Sequence, residues 1–318
     1  MREIGGFIGF EVTKGNNSYH GNSALCLNTG RACLNLIIKN SNVNKLYAPF
    51  YCCDSVLSPI EENQIPYEFY GLNDRLEIAD DITLDDESMI IYVNYFGLMN
   101  SYIGGLHSKY GDKLILDNTQ AFFEMDKNGI NSFNSARKFF GVPDGAYLYH
   151  TFPAVNDLEV NKGISTDYLI NRMIGNTETA YRQYREYEDS LTNEIKLISE
   201  LSDTILSNVD YDNTAMKRRE NYELYQNLLG GINYFQAEWD NKAVPYCYPF
   251  LTPEKIDKSV FHRQGIFIPT FWEEVTSRDG EGFEFEKNFS QCLIPLPLDQ
   301  RYGADDIQYV SRKLKEVL

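Results

Sequence analysis

The stretch that decides the fold runs from Lys113 to Tyr149 and reads KLILDNTQAFFEMDKNGINSFNSARKFFGVPDGAYLY. It opens with a short apolar run, Leu114 to Leu116, that ends in the carboxylate of Asp117. Further along come Lys138, a turn of Gly, Pro and Asp, and a second apolar run from Ala146 to Tyr149. Short apolar runs bounded by turn residues are typical of buried strands. The pattern therefore predicts a carboxylate at the end of one strand and a lysine on a following loop.

These two groups, in this arrangement, are what pyridoxal phosphate chemistry needs. The lysine amine binds the aldehyde of the cofactor, and the carboxylate keeps the pyridine nitrogen protonated so that the ring accepts electrons. Taken alone, Asp117 is better explained as the cap of a turn, and Lys138 as a solvated surface charge. Lys138 stands between Ala136 and the apolar pair Phe139 and Phe140, a setting that predicts burial and a lowered pKa of the amine. Together they make pyridoxal 5'-phosphate the expected cofactor.

The motif DNTQ at 117–120, followed by Lys138 and then by Gly-Ala at 145–146, resembles the DegT/DnrJ/StrS family of sugar aminotransferases. Members usually read E-D-A-A-(H/Q), then S-F-x-x-x-K, then G-E-G-G. The order of the parts and the Asp-to-Gln spacing are kept, but Phe133 stands where the family has serine, five residues before the lysine. A subset of the family carries histidine in place of the lysine and performs dehydration, so the lysine favours amino transfer.

The resemblance implies a fold and a set of site residues. The expected fold is the aspartate-aminotransferase-like α/β fold (fold type I): a large domain with a mostly parallel central sheet between helices, and a small C-terminal α+β domain. Lys138 and Asp117 are the expected catalytic pair. The other expected cofactor contacts are Thr29, Gly30, Arg31, Tyr51, Gln120, Ser135 and Asn171. No metal site is expected, because the cysteines and histidines lack metal-binding spacing.

Several of these roles compete with a structural explanation. Thr29 precedes a helix whose first N–H groups can bind a phosphate, but most helices of this kind are simply capped. Tyr51, or its neighbour Phe50, is the expected ring that stacks on the cofactor, or else a core aromatic. Asn171 resembles the family asparagine that reaches the phosphate of the other protomer, although one residue is missing between it and Arg172.

Length, charge and cysteine content set further expectations. The 318 residues suffice for a large domain, expected at 1–210, and a small one at 211–318. A net charge of −17 argues against nucleic acid or an anionic membrane as a partner. No apolar run approaches the length of a membrane span, and the N-terminus does not read as a signal peptide. Reduced cysteines and a cytoplasmic location are expected.

The expected function combines these inferences. The chain is expected to transfer an amino group from an amino-acid donor, glutamate in many family members, to a keto group of a sugar nucleotide. The active site is expected to lie between the protomers of a homodimer. Donor, acceptor and dimer rest on the resemblance alone, because a fold is a poor guide to substrate. Two alternatives stay open: another pyridoxal phosphate reaction on a non-sugar keto substrate, and a degenerate member that binds a ligand without turnover.

Overall fold

A computed structural model of the chain describes residues 11–125, 129–153 and 155–318. The strands are β1 (Leu25–Leu27), β2 (Lys45–Pro49), β3 (Tyr67–Tyr70), β4 (Ser88–Val93), β5 (Leu114–Asn118), β6 (Asn131–Asn134), β7 (Ala146–Tyr149), β8 (Tyr248–Leu251) and β9 (Leu293–Leu296). The helices are α1 (Gly30–Asn40), α2 (Asp54–Glu62), α3 (Asn100–Tyr110), α4 (Asp167–Met173), α5 (Thr177–Ser190), α6 (Glu200–Leu206), α7 (Tyr211–Leu229), α8 (Ser259–His262), α9 (Glu284–Cys292) and α10 (Ala304–Lys315).

A seven-stranded sheet, in the order β1-β7-β6-β5-β4-β2-β3, organises the first part of the chain. The pairs from β3 through β6 are parallel, and β7 joins both β6 and β1 in antiparallel pairing. Every residue of β4 and β5 is buried, as expected for near-continuous apolar runs in a parallel sheet that is covered on both faces. The expected mostly parallel sheet is confirmed.

Helix α1 brings the segment around Thr29 to the carboxyl edge of this sheet. The Thr29 side chain accepts a hydrogen bond from the Ala32 N–H, which caps the helix at its start. All residues from Ala32 to Ile38 are buried, and the helix packs against β6 and β7. Burial of this face against the sheet fixes where the first turn of the helix lies.

The C-terminal part is built around α7, α10 and the antiparallel pair β8 and β9. The pairing of Tyr248 with Leu296 and of Leu251 with Leu293 sets the register of these two strands. One hydrophobic core extends from Leu27 in β1 to Leu314 in α10. The division at residue 210 stays a prediction. Within the described ranges, no helix is long and apolar enough to cross a membrane.

Candidate cofactor site

A cavity of about 130 Å³ opens at the carboxyl edge of the large sheet. In open α/β sheets, ligands bind outside the carboxyl ends of the strands. The cavity is lined by Thr29, Gly30, Arg31, Leu34, Cys53, Ser55, Val56, Val93, Asp117, Thr119, Phe133, Ser135, Arg137, Lys138, Glu188 and Trp272. Six of the predicted site residues are therefore brought together: Lys138, Asp117, Thr29, Gly30, Arg31 and Ser135.

A larger cavity, of about 380 Å³, lies next to Asn94, Asn100 and Glu124. Its described lining consists of amides, one carboxylate, His107 and apolar groups, without a lysine or an arginine. None of the predicted site residues lies there. The smaller cavity is the better candidate despite its size, because it holds both an amine and a carboxylate at the sheet edge.

Strand register places Asp117 in the wall of the cavity. Asp117 pairs with Val93 of β4 on one side and with Phe133 of β6 on the other, so these three side chains stand in one row. An Asp117 carboxylate oxygen accepts a hydrogen bond of 2.8 Å from the Thr119 N–H. Burial raises the pKa of Asp117, while the bonds from Thr119 and the charge of Lys138 act in the opposite direction. A carboxyl in this state is stabilised by a cationic partner.

Lys138 lies in a short 3-10 turn after β6, and its side chain lines the cavity and is exposed. The expected burial of Lys138 is therefore wrong. Its Nζ lies 5.9 Å from the centre of the Tyr246 ring. The expected lowered pKa of Lys138 is wrong. Partial loss of hydration among the surrounding protein atoms is the largest single influence and lowers the pKa of Lys138. The interactions with Tyr246, Cys53, Tyr184 and Asp117 together outweigh it, so that the pKa is raised.

The turn at 144–145 ties the lysine to the start of α1. The Ala136 N–H donates to the Gly145 carbonyl at 2.9 Å, and the Gly145 N–H donates to the Asn28 carbonyl at 2.7 Å. Gly145 has a φ of 123°, and a Cβ there would lie 2.9 Å from Ile198 Cδ1. Glycine is needed at this position for both reasons. The turn thus sets the distance between Lys138 and the first turn of α1.

The start of α1 closes against the end of β5. The Thr29 hydroxyl accepts from Ala32 N–H at 3.1 Å, so the capping explanation of Thr29 holds, and Thr29 also lines the cavity. A Cβ on Gly30 would lie 3.2 Å from Thr119 Cγ2 and 3.5 Å from the Phe133 ring. This close approach places the N-terminal turn of a helix, which favours anions, beside Asp117.

Two arginines make the cavity cationic, and only the first of them, Arg31, was expected to contact the cofactor. Arg31 donates to Ser55 Oγ at 2.7 Å. Burial lowers the pKa of Arg31. Cys53 acts in the opposite direction, and the nearby charge of Arg137 lowers the pKa further. Arg137 forms an ion pair with Glu188 of α5. Only the position of Arg137 directly before Lys138, where it departs from the family pattern, was a signal in the sequence.

The structure does not bring three predicted contacts to the cavity. The fully buried ring of Tyr51 meets Trp272 edge to face at 4.6 Å and lies outside the lining, because the chain beyond β2 turns it into the aromatic core. Gln120 Oε1 accepts from the Phe96 N–H at 2.9 Å. Asn171 lies on α4 and donates to the Gln183 side chain at 2.9 Å. Its role across a dimer stays a prediction.

Trp272 and Cys53 line the cavity, although no motif marks either residue. Trp272 has a left-handed backbone, with φ 52° and ψ 58°, a conformation that is costly for a bulky residue and often found at functional sites. It comes from the C-terminal part of the chain, far from β5 in sequence. Proximity of this kind arises only in the folded chain.

Comparison with known proteins was made by sequence and by structure. No family model matches the chain, and no curated protein matches it by sequence. The sugar aminotransferase CalS13 from Micromonospora echinospora is similar in structure, with a TM-score of 0.66 at 14% identity over 93% of this chain and 88% of that one. The PMP-form of Spr1654 from Streptococcus pneumoniae has a TM-score of 0.65 at 13% identity, over 96% and 91%. A DegT DnrJ EryC1 StrS aminotransferase from Brucella abortus has a TM-score of 0.62 at 11% identity, over 92% and 85%.

The chain has the fold of these aminotransferases. The fold class expected from the resemblance is thereby confirmed. At identities of 11–14%, the likeness concerns the arrangement of the chain and leaves the reaction to the residues of the cavity.

Proposed function

We propose that the chain is a pyridoxal-phosphate-dependent aminotransferase of the DegT/DnrJ/StrS type. The observation that carries the proposal is that Lys138 and Asp117 line one cavity at the carboxyl edge of the sheet, beside the first turn of α1. An amine, a buried carboxylate and a cationic rim are the three features that a pyridine aldehyde with a phosphate group requires. The residues therefore fit this cofactor.

Each residue has a defined task in the proposed reaction. The bound cofactor supplies an electron sink for the negative charge that develops on the substrate carbon. The carboxylate of Asp117 would hold the protonated ring nitrogen, and this positive charge would compensate for the burial that raises the pKa of Asp117. The amine of Lys138 would hold the aldehyde of the cofactor and would carry the proton to and from the substrate carbon.

The substrates are proposed from the resemblance. The donor is an amino acid, glutamate in the first instance, and the acceptor is a keto group of a sugar nucleotide. CalS13, which shares the fold, is a sugar aminotransferase. A keto acceptor that is not a sugar is the alternative, and a panel of keto compounds tested as amino acceptors separates the two. A cytoplasmic location belongs to the same proposal, and all six cysteines are free thiols, as that compartment favours.

The proposed homodimer has a candidate face on the α4–α5 hairpin. Side chains that are apolar and exposed cluster there: Ile170, Met173, Ile174, Tyr181 and Tyr184. Asn171 lies in the same segment, as required for a residue that reaches a second protomer. Exposed apolar patches of this kind mark interaction surfaces. Sedimentation of M173E/I174E is expected to give a monomer, whereas I232E, at an exposed position elsewhere, stays dimeric. A dimeric M173E/I174E would place the interface elsewhere.

The cofactor is tested by absorbance spectra of the purified protein with added pyridoxal phosphate, before and after borohydride. Wild type is expected to show a visible band that borohydride converts into a covalent adduct, which mass spectrometry locates on Lys138. Lys138→Ala is expected to lose the band, and Lys242→Ala, with an exposed side chain, is expected to keep it. Bleaching by glutamate then indicates transamination. Absence of the band in wild type would refute the enzyme and leave a ligand-binding protein.

A further inference from the structure

The charges that line the cavity do not cancel. Arg31, Arg137 and Lys138 are cationic, whereas Asp117 and Glu188 are the acidic residues of the described lining. Glu188 pairs with Arg137, and the hydrogen-bond partner of Arg31 is the neutral hydroxyl of Ser55. A half-buried cation with a neutral partner is stabilised by an anion. The excess of positive charge therefore lies at the arginine side of the cavity.

Arg137 is held in one orientation and has an unused donor. Its side chain is only 13% exposed and is paired with Glu188, and the guanidinium lies 5.5 Å from the centre of the Tyr187 ring. In the described chain, the buried Nε of Arg137 has no hydrogen-bond partner. An unpaired buried donor is costly. Arg137 lines the cavity, and a bound anion that came close enough to accept from this N–H would remove the cost.

The neighbouring wall lacks the hydroxyl that the resemblance leads one to expect. Phe133 occupies the position five residues before Lys138, and its ring is packed close to Gly30 at the start of α1. Ser135 and Ser55 supply hydroxyls to the lining, but neither carries charge. The two guanidinium groups are the cationic groups beside this helix start.

We infer that Arg31 and Arg137 together bind the phosphate of the cofactor, with Glu188 and Tyr187 holding Arg137 in position. The inference rests on the proposed function. It explains how this chain would hold a phosphate although Phe133, rather than a serine, stands in the wall of the cavity. Guanidinium groups bind phosphate through paired, charge-assisted hydrogen bonds. The carboxylate of the amino-acid donor has similar chemistry, so the test separates the two anions.

The test compares binding of pyridoxal phosphate with binding of pyridoxal, which has the aldehyde and the ring but no phosphate. Kd values are measured from the absorbance of the 318-residue protein. Arg137→Gln and Arg31→Gln are each expected to raise the Kd for pyridoxal phosphate at least about tenfold and to change the Kd for pyridoxal less than about twofold. Arg137→Lys keeps the charge and is expected to be intermediate. Arg75→Gln, which removes an exposed arginine away from the α4–α5 hairpin, is expected to match wild type.

Three outcomes would overturn the inference or the function beneath it. If wild type forms no Lys138 adduct, the proposed function fails. If the adduct forms but both glutamine variants bind pyridoxal phosphate like wild type, only the present inference fails. If these variants bind the cofactor normally and raise the KM for glutamate, the arginines bind the donor carboxylate instead. Far-UV circular dichroism checks the fold, and Arg137→Lys provides the comparison if Arg137→Gln is unfolded.

Discussion

Replacing Asp144 with alanine is expected to destabilise the protein by about 4 kcal/mol, because a buried carboxylate with several donors is removed. Asp144 is fully buried. One carboxylate oxygen accepts from Ser199 Oγ at 2.6 Å and from Ser202 Oγ. The other accepts from the Ser199 N–H at 2.9 Å and from the Asn161 amide at 2.8 Å. The carboxylate therefore joins the turn after Lys138 to the start of α6.

The magnitude follows from which donors find new partners. The hydroxyls of Ser199 and Ser202 lie 3.1 Å apart and can bond to each other in the variant. The Ser199 N–H and the Asn161 amide are left without the acceptor, at about 1–3 kcal/mol each. Asp144→Asn keeps one acceptor oxygen and loses the charge, so that a loss of about 1–2 kcal/mol is expected. The difference between the losses of stability in the two variants separates the contribution of the acceptor oxygen from that of the charge.

Urea unfolding of the cofactor-free protein, followed by circular dichroism, measures both losses. With a slope of about 3 kcal/mol per molar urea, Asp144→Ala shifts the midpoint down by about 1.3 M. The exposed Asp112 is the matched control, and Asp112→Ala is expected to stay within about 0.5 kcal/mol of wild type. A loss below about 1 kcal/mol for Asp144→Ala, or equal losses for both variants, would show that the hydrogen bonds do not carry this stability.

Three further perturbations test other parts of the structure. Gly145→Ala is expected to cost about 2 kcal/mol, since its φ is 123° and the new Cβ meets Ile198 at 2.9 Å; a urea midpoint no lower than that of Gly163→Ala would contradict this. Burial raises the pKa of Asp117, so the folded state holds its proton more tightly, and the contribution of Asp117 to the stability of the cofactor-free protein decreases as pH rises. The stability of Asp117→Asn relative to wild type should therefore increase between pH 4 and pH 7. A difference in urea midpoint between the two proteins that does not change with pH would contradict this. Burial lowers the pKa of His20 to about 3, so stability should fall as pH decreases from about 6.5 towards 3; His20→Gln should flatten this dependence, and identical pH profiles of the urea midpoint would exclude it.

The sheet and the central pair could be predicted because their signals are local. The apolar runs of β4 and β5 can be recognised within a few residues, since strands buried on both faces need such runs. Asp117 and Lys138 follow from their place relative to these strands. Their meeting in one cavity was expected from pyridoxal phosphate chemistry and the resemblance, and it comes about because the carboxyl ends of parallel strands share an edge. Thr29 and Gly30 were predicted by resemblance, and capping explains why a helix starts there.

The remaining parts of the site depend on residues that are distant in sequence. The pairing of Arg137 with Glu188 joins the turn after β6 to α5, and Trp272 reaches the cavity from beyond β8. Tyr51 follows its strand as expected, but the rings of Trp272 and Tyr95 surround it and keep it in the core. A sequence pattern holds no record of such contacts, because they depend on how separate segments pack.

The sequence by itself determined the fold class, the expected cofactor chemistry and the positions of Asp117 and Lys138. Only the tertiary structure decided the electrostatics of the site. The sequence context of Lys138 predicted a lowered pKa, since burial disfavours charge. In the folded chain, Tyr246 and Cys53, brought in from other segments, together with Tyr184 and Asp117, raise it. A pKa depends on every charge and dipole nearby in space, and that neighbourhood exists only after folding.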